Sequence, residues 1–212
     1  MRQILVFDLD GTLINSMANY AAGMLRIPEE EHILVSPNTV EIITPLGYTK
    51  TAEYFLDLGV PGPLEAIIRR MEKNLVYEYA NNIRPKKGIP EFLKEMKHRG
   101  AELYVLTASP HIVTDICLKN NGLYDLFDKV WSVEDFGITK GEVRLFHTVA
   151  DLLHCKPEEI CFFDDNLTAL QTARRADCKI YAVYDGQKED TVREMKAICH
   201  DYIESFENYV LK

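Results

Sequence analysis

Residues 4–7, Ile-Leu-Val-Phe, are four consecutive apolar positions that break off at Asp8-Leu9-Asp10-Gly11-Thr12. A short apolar run with β-branched and aromatic members, closed by an Asp-Gly turn, predicts a buried strand. From residue 84 onward such runs alternate with helical spacing. The pattern predicts a helix over 88–99, a strand over 102–107, a helix over 110–121 and a strand over 129–133. It goes on to a helix over 142–153, a strand over 160–164, a helix over 167–176 and a strand over 179–184. The tail from 191 to 209, with Val192, Met195, Ile198 and Ile203 on one side, reads as helical and packed on the core. Alternation of this kind implies an α/β fold with a doubly wound parallel sheet.

Residues 16–83 interrupt that alternation with helical patterning and no strand. Ser16 is placed to cap a helix running to about residue 27. Pro63 opens a longer one whose apolar positions are Leu64, Ile67, Ile68, Met71, Leu75 and Val76. The stripe reads as core packing rather than a cofactor box. The expected organisation is a catalytic core of residues 1–15 and 84–212 with an inserted all-helical unit over 16–83.

Composition narrows the function. The 212 residues, 47% hydrophobic, suffice for one substantial core and an insertion. The apolar runs fall far short of the roughly 20 residues a membrane-spanning helix needs, and Asp8 and Asp10 interrupt any leader pattern, so a cytoplasmic protein with no membrane association is expected. Cys117, Cys155, Cys161, Cys178 and Cys199 form an odd set without Cys-x-x-Cys and read as reduced thiols, mostly buried. A net charge of -9 argues against nucleic acid as a partner and for small substrates. The six histidines have no ligand spacing.

The chemistry concentrates at strand ends, the edge at which open α/β sheets bind ligands. Asp8 and Asp10 point the same way along a strand and repel each other. Either a divalent cation neutralises them, or one keeps a proton and the pair serves as nucleophile and general acid, and both can hold together. Thr107-Ala108-Ser109-Pro110 ends the 102–107 strand just before a helix and suits an anion held by backbone N–H groups. Lys140 precedes the 142–153 helix, and Asp164-Asp165-Asn166 ends the 160–164 strand. Taken singly, Thr107 reads as a helix cap, Lys140 as a solvated lysine and Asp164-Asp165 as a loop. The ordered set is far more specific.

That set, Asp8-Leu9-Asp10-Gly11-Thr12, then Thr107, then Lys140, then Asp164-Asp165, resembles the four motifs of the haloacid dehalogenase superfamily. Phe146, six residues after Lys140, and Pro157-Glu158-Glu159-Ile160 support the match; Gly141 departs from the proline many members carry there. The resemblance implies a Rossmann-like core and a helical cap that closes over the active site. It further implies that Asp8 is a nucleophile attacking phosphorus, that Asp10 is the general acid and base, and that Thr107, Ala108 and Lys140 bind phosphate. Mg2+ is the implied cofactor, held by Asp8, Asp165 and the Asp10 carbonyl, with Asp164 coordinating directly or through water. Asp10 argues for phosphoryl transfer, because a halide leaving group needs no proton. Lys50, in a break at residues 45–50 where related capped phosphatases carry a selectivity loop, is a candidate substrate contact, with a plain surface lysine the alternative. The expected function is Mg2+-dependent hydrolysis of a small phosphorylated metabolite, similar to phosphoglycolate phosphatase and beta-phosphoglucomutase. A phosphomutase and a non-catalytic binding protein on the same fold are the alternatives. The oligomeric state is left open.

Overall fold

A computed structural model describes residues 2–43 and 46–211. The chain divides into two compact units, one of residues 1–15 and 84–212 and one of residues 16–83. In the first, six strands form one all-parallel sheet: β1 (Ile4–Phe7), β2 (Glu102–Thr107), β3 (Lys129–Ser132), β4 (Ile160–Asp164), β5 (Lys179–Val183) and β6 (Asp201–Ile203). Their spatial order is β3-β2-β1-β4-β5-β6, with every neighbouring pair parallel. The chain therefore builds outward from β1 in one direction, then crosses back to build in the other. The crevice at the carboxyl ends of β1 and β4 is the switch point, the place where such sheets take ligands.

Both sheet faces are covered, which is why β1 and β4 read as continuous apolar runs instead of alternating ones. On one face Val6, Leu106, Phe162 and Ile180 pack against Phe146, Val149, Leu170, Ala173 and Met195. These come from α7 (Val143–Leu152), α8 (Leu167–Arg175) and α9 (Glu189–Ile198), while α6 (His111–Asn120) links β2 to β3. On the other face Phe7, Phe163 and Tyr181 form a stacked ladder, with ring centroids 4.5 and 4.7 Å apart. Phe92 of α5 (Ile89–His98) lies edge-on to Phe7 and Phe163. Phe206 and Tyr209 of the tail pack on Phe92 in turn. Gly88 permits that docking, since a Cβ there would lie 2.4 Å from the backbone of Phe206.

The second unit holds α1 (Met17–Glu30), α2 (Thr39–Ile43), α3 (Gly47–Asp57) and α4 (Leu64–Asn81). Ile67, Met71 and Leu75 of α4 are buried, as core packing requires. Glu78, also buried, accepts from Asn19, Arg26 and Asn82, so its charge is fully engaged. Among the described residues, no helix is long and apolar enough to cross a membrane.

Four details differ from the sequence reading. The tail is helical only to Ile198; Cys199 is extended and Asp201–Ile203 adds a sixth strand beside β5. Three residues carry too short a pattern to betray a strand. Ser16 precedes α1 but makes no capping bond, and its Oγ is buried without a partner. Lys50 stands exposed within the first turn of α3 rather than in a break; Pro45 of that stretch lies outside the described residues. Helix α2, at five residues fewer than two turns, is too short to show in the sequence pattern.

Candidate active site

Strand register places the acids. Phe7 pairs with Phe163, and the Asp8 N–H donates to the Phe163 carbonyl at 2.9 Å, so Asp8 and Asp164 emerge side by side from the two central strands. Alternation sends both away from the aromatic ladder. Asp8 is 4% exposed and Asp164 fully buried, with Asp165 next to them, and one carboxylate oxygen from each of the three lies within 4.8 Å of the others.

Lys140 joins this group from the segment before α7. Its Nζ donates to Asp164 Oδ2 at 2.8 Å and makes a short ion pair with Asp8 Oδ1. The approach is fixed at both ends. Upstream, the Glu142 carboxylate accepts from the Thr139 N–H at 3.1 Å and closes the turn. Downstream, Phe146 packs edge-on against Phe162 of β4, 5.0 Å between centroids. Asp164 Oδ1 accepts the Asn166 N–H at 2.7 Å, and the Asn166 side chain accepts from the Ala169 N–H to start α8. Each Asp164 oxygen thus has a donor, one from a lysine and one from the backbone.

Asp165 is steadied by the Thr12 hydroxyl, which donates to its Oδ1 at 3.2 Å. Gly11, at φ +79°, permits the approach: a Cβ there would fall 2.7 Å from the Asp165 carboxylate. Asp10 faces another partner. Its Oδ2 accepts from Ser109 Oγ at 2.6 Å, and its side chain is not among the three clustered carboxylates. The buried Thr107 hydroxyl accepts the Ser109 N–H at 3.0 Å, while Ala108 between them is exposed.

Three acids against one ammonium leave a buried surplus of negative charge. Burial raises Asp8 well above the usual carboxylate range; Lys140 opposes this and the neighbouring acids reinforce it. Asp165 is pushed up to about 7 by burial and then by Asp164. For Lys140 burial disfavours the charge, but Asp164 and Asp8 outweigh it and the lysine is held above its ordinary value. Clustered oxygen donors with uncompensated charge are the donor set of a hard dication such as Mg2+.

Residues 5–183 match the model of the haloacid dehalogenase-like hydrolases. The chain belongs to that family. This haloacid dehalogenase-like hydrolase is 26% identical over 184 residues to a phosphoglycolate phosphatase of Thiobacillus denitrificans, covering 84% of this chain and 81% of that protein. It is 25% identical over 184 residues to a pyrophosphatase of Bacillus mycoides, with the same coverage. A Thermotoga maritima crystal structure, provisionally named a beta-phosphoglucomutase, superposes with a TM-score of 0.83 at 18% identity, over 97% of this chain and 95% of that one.

In this hydrolase, then, the fold brings Asp8, Lys140, Asp164 and Asp165 into one cluster and sets Asp10 beside it through Ser109. Thr107 lies at the end of β2, two residues from that serine, and Lys50 belongs to the separate helical unit. Ser109 is a site residue that the sequence pattern does not single out. Its one available signal was a hydroxyl two residues after the strand-end threonine.

Proposed function

We propose that this hydrolase releases phosphate from a small phosphorylated metabolite through an aspartyl-phosphate on Asp8, with Mg2+ as cofactor. The observation that carries the reading is the single lysine, Lys140, shared between Asp8 and Asp164, while a second acid, Asp10, has a different partner in Ser109. One carboxylate is positioned for attack and another, differently partnered, for proton transfer. Environments that separate two acids separate their roles.

In the proposed reaction an Asp8 oxygen bonds to phosphorus as the bond to the leaving oxygen breaks, and Asp10 gives that oxygen its proton. Asp10 then takes a proton from water, which attacks phosphorus, splits the acyl phosphate and restores Asp8. Lys140 balances charge on the transferred group, and Thr107 with the backbone N–H of Ala108 completes the phosphate grip. Asp8, Asp165 and the Asp10 carbonyl are the proposed Mg2+ ligands, with Asp164 orienting the shell through its lysine and backbone bonds. Bound there, the ion would offset negative charge on the phosphoryl oxygens. The helical unit over 16–83 is proposed as a substrate-selecting cap, with Lys50 as a selectivity residue whose replacement reorders substrates without stopping chemistry.

The test is phosphate release from a panel of small phosphomonoesters and inorganic pyrophosphate, with and without Mg2+, for wild type beside Asp8→Asn. Mg2+-dependent release that the variant lacks supports the reading. Appreciable turnover by Asp8→Asn removes the nucleophile assignment. Transfer of the phosphoryl group back to a sugar phosphate without release makes the enzyme a mutase.

A further inference from the structure

Asp8 and Asp164 are fixed by strands, but Asp165 lies past the last ladder residue of β4 and before Leu167, where α8 begins. No repeating backbone pattern holds it. The Gln187 side chain does: its Nε2 donates to the Asp165 carbonyl at 2.7 Å and to the Val183 carbonyl, at the end of β5, at 3.1 Å. The carboxamide oxygen accepts the Asp185 N–H at 2.8 Å, so oxygen and nitrogen of this side chain are both committed.

Asp185 is anchored in turn. Lys86 Nζ pairs with Asp185 Oδ1 at 2.8 Å and donates to the Tyr184 carbonyl at 2.5 Å, both charged side chains being largely buried. The Lys86 N–H donates to the Leu13 carbonyl at 2.9 Å, and the Asn15 N–H to the Arg84 carbonyl at 3.1 Å. One chain of contacts thus runs from the loop that follows Asp10, through Lys86, Asp185 and Gln187, to the backbone of Asp165.

We infer that Gln187 is a positioning residue that sets Asp165 for cation binding, with the Lys86–Asp185 pair as its anchor. The inference rests on the Mg2+ site proposed above. It follows from what the amide fixes: with the Asp165 carbonyl tied to the end of β5, the backbone at Asp165 is held in the orientation that presents its carboxylate beside Asp8. Without the amide, the Asp165 carboxylate keeps the 3.2 Å contact from Thr12 over a backbone no longer tied to β5. Partners that orient a metal ligand in this way typically change affinity by about 10–100-fold when removed.

The test is calorimetric titration of substrate-free protein with Mg2+, comparing wild type with Gln187→Met, which keeps length and neutrality but has no donor, and with Gln187→Ala. Mg2+ affinity is expected to fall about tenfold or more in both, while kcat at saturating Mg2+ stays within about twofold. Circular dichroism on the metal-free proteins establishes that the variants are folded; Gln187 is a half-buried loop residue, and one folded variant suffices. Unchanged Mg2+ affinity in a folded variant overturns the inference and leaves the metal site standing. Failure of wild type to bind Mg2+ overturns the metal site and this inference with it.

Discussion

Ser109 Oγ donates to Asp10 Oδ2 at 2.6 Å, joining the loop after β2 to the loop after β1. A hydrogen bond of this kind contributes roughly 0.5–1.5 kcal/mol net when both partners are held in place. In the proposed reaction the orientation of Asp10 decides how well it delivers a proton. Ser109→Ala is expected to lower kcat about tenfold or more with poor leaving groups and much less with p-nitrophenolate, which leaves without a proton. Equal losses with both would show that the serine serves folding alone.

Lys140 is buried against two carboxylates, so its removal affects charge as well as catalysis. Lys140→Ala is expected to cut kcat by about 10²–10³, the usual cost of losing one preorganised donor at a developing charge. Lys140→Arg keeps the charge on a planar fork that does not reproduce a single Nζ between two acids, and it should recover only part of the rate. Full recovery by arginine would mean that only net charge matters there.

Much of this site was legible because its parts sit where local patterns end. Asp8 and Asp164 each close an unbroken apolar strand, and the strand limits 102–107 and 160–164 match the sequence reading. Lys140 was placed by the helix it precedes. What escaped notice are contacts between distant loops: Ser109 with Asp10, and Gln187 with Asp165. Neither side chain carries a spacing signal, since a serine or glutamine in a loop reads the same with or without a partner. The β6 strand escaped for another reason, because Ile203 fits a helical stripe as well as a three-residue strand.

Gly11 is needed twice over. Its φ of +79° lies in the left-handed region, and a Cβ would fall on the Asp165 carboxylate. Gly11→Ala is expected to destabilise the fold by about 1–2 kcal/mol from backbone strain alone. It should also weaken Mg2+ binding by displacing Asp165. Urea unfolding and calorimetric titration separate the two effects, and a variant with wild-type values in both would refute the close approach.

Away from the site, an arginine–glutamate pair sets the response of stability to acid. Arg2 Nη2 donates to Glu102 Oε2 at 2.6 Å, the Arg2 Nε makes a second short pair with Oε1, and the Tyr104 hydroxyl adds a bond at 2.7 Å. The arginine hydrogen bond, opposed by partial burial and aided by Tyr104, holds Glu102 down at about 2, against an ordinary 4.5. A carboxylate whose value falls on folding adds stability that is complete above its unfolded value and lost as pH drops toward the folded one. The contribution of this pair should therefore be full at pH 6, decline from about 4.5 downward and vanish below about 2. Arg2→Met should be less stable than wild type at pH 6, with the gap closing as the solution is acidified. Because both side chains are partly exposed, the gap should also narrow in high salt. Urea unfolding at graded pH measures it; a gap unchanged from pH 6 into strong acid would assign the stabilisation to packing of the Arg2 stem and not to its charge.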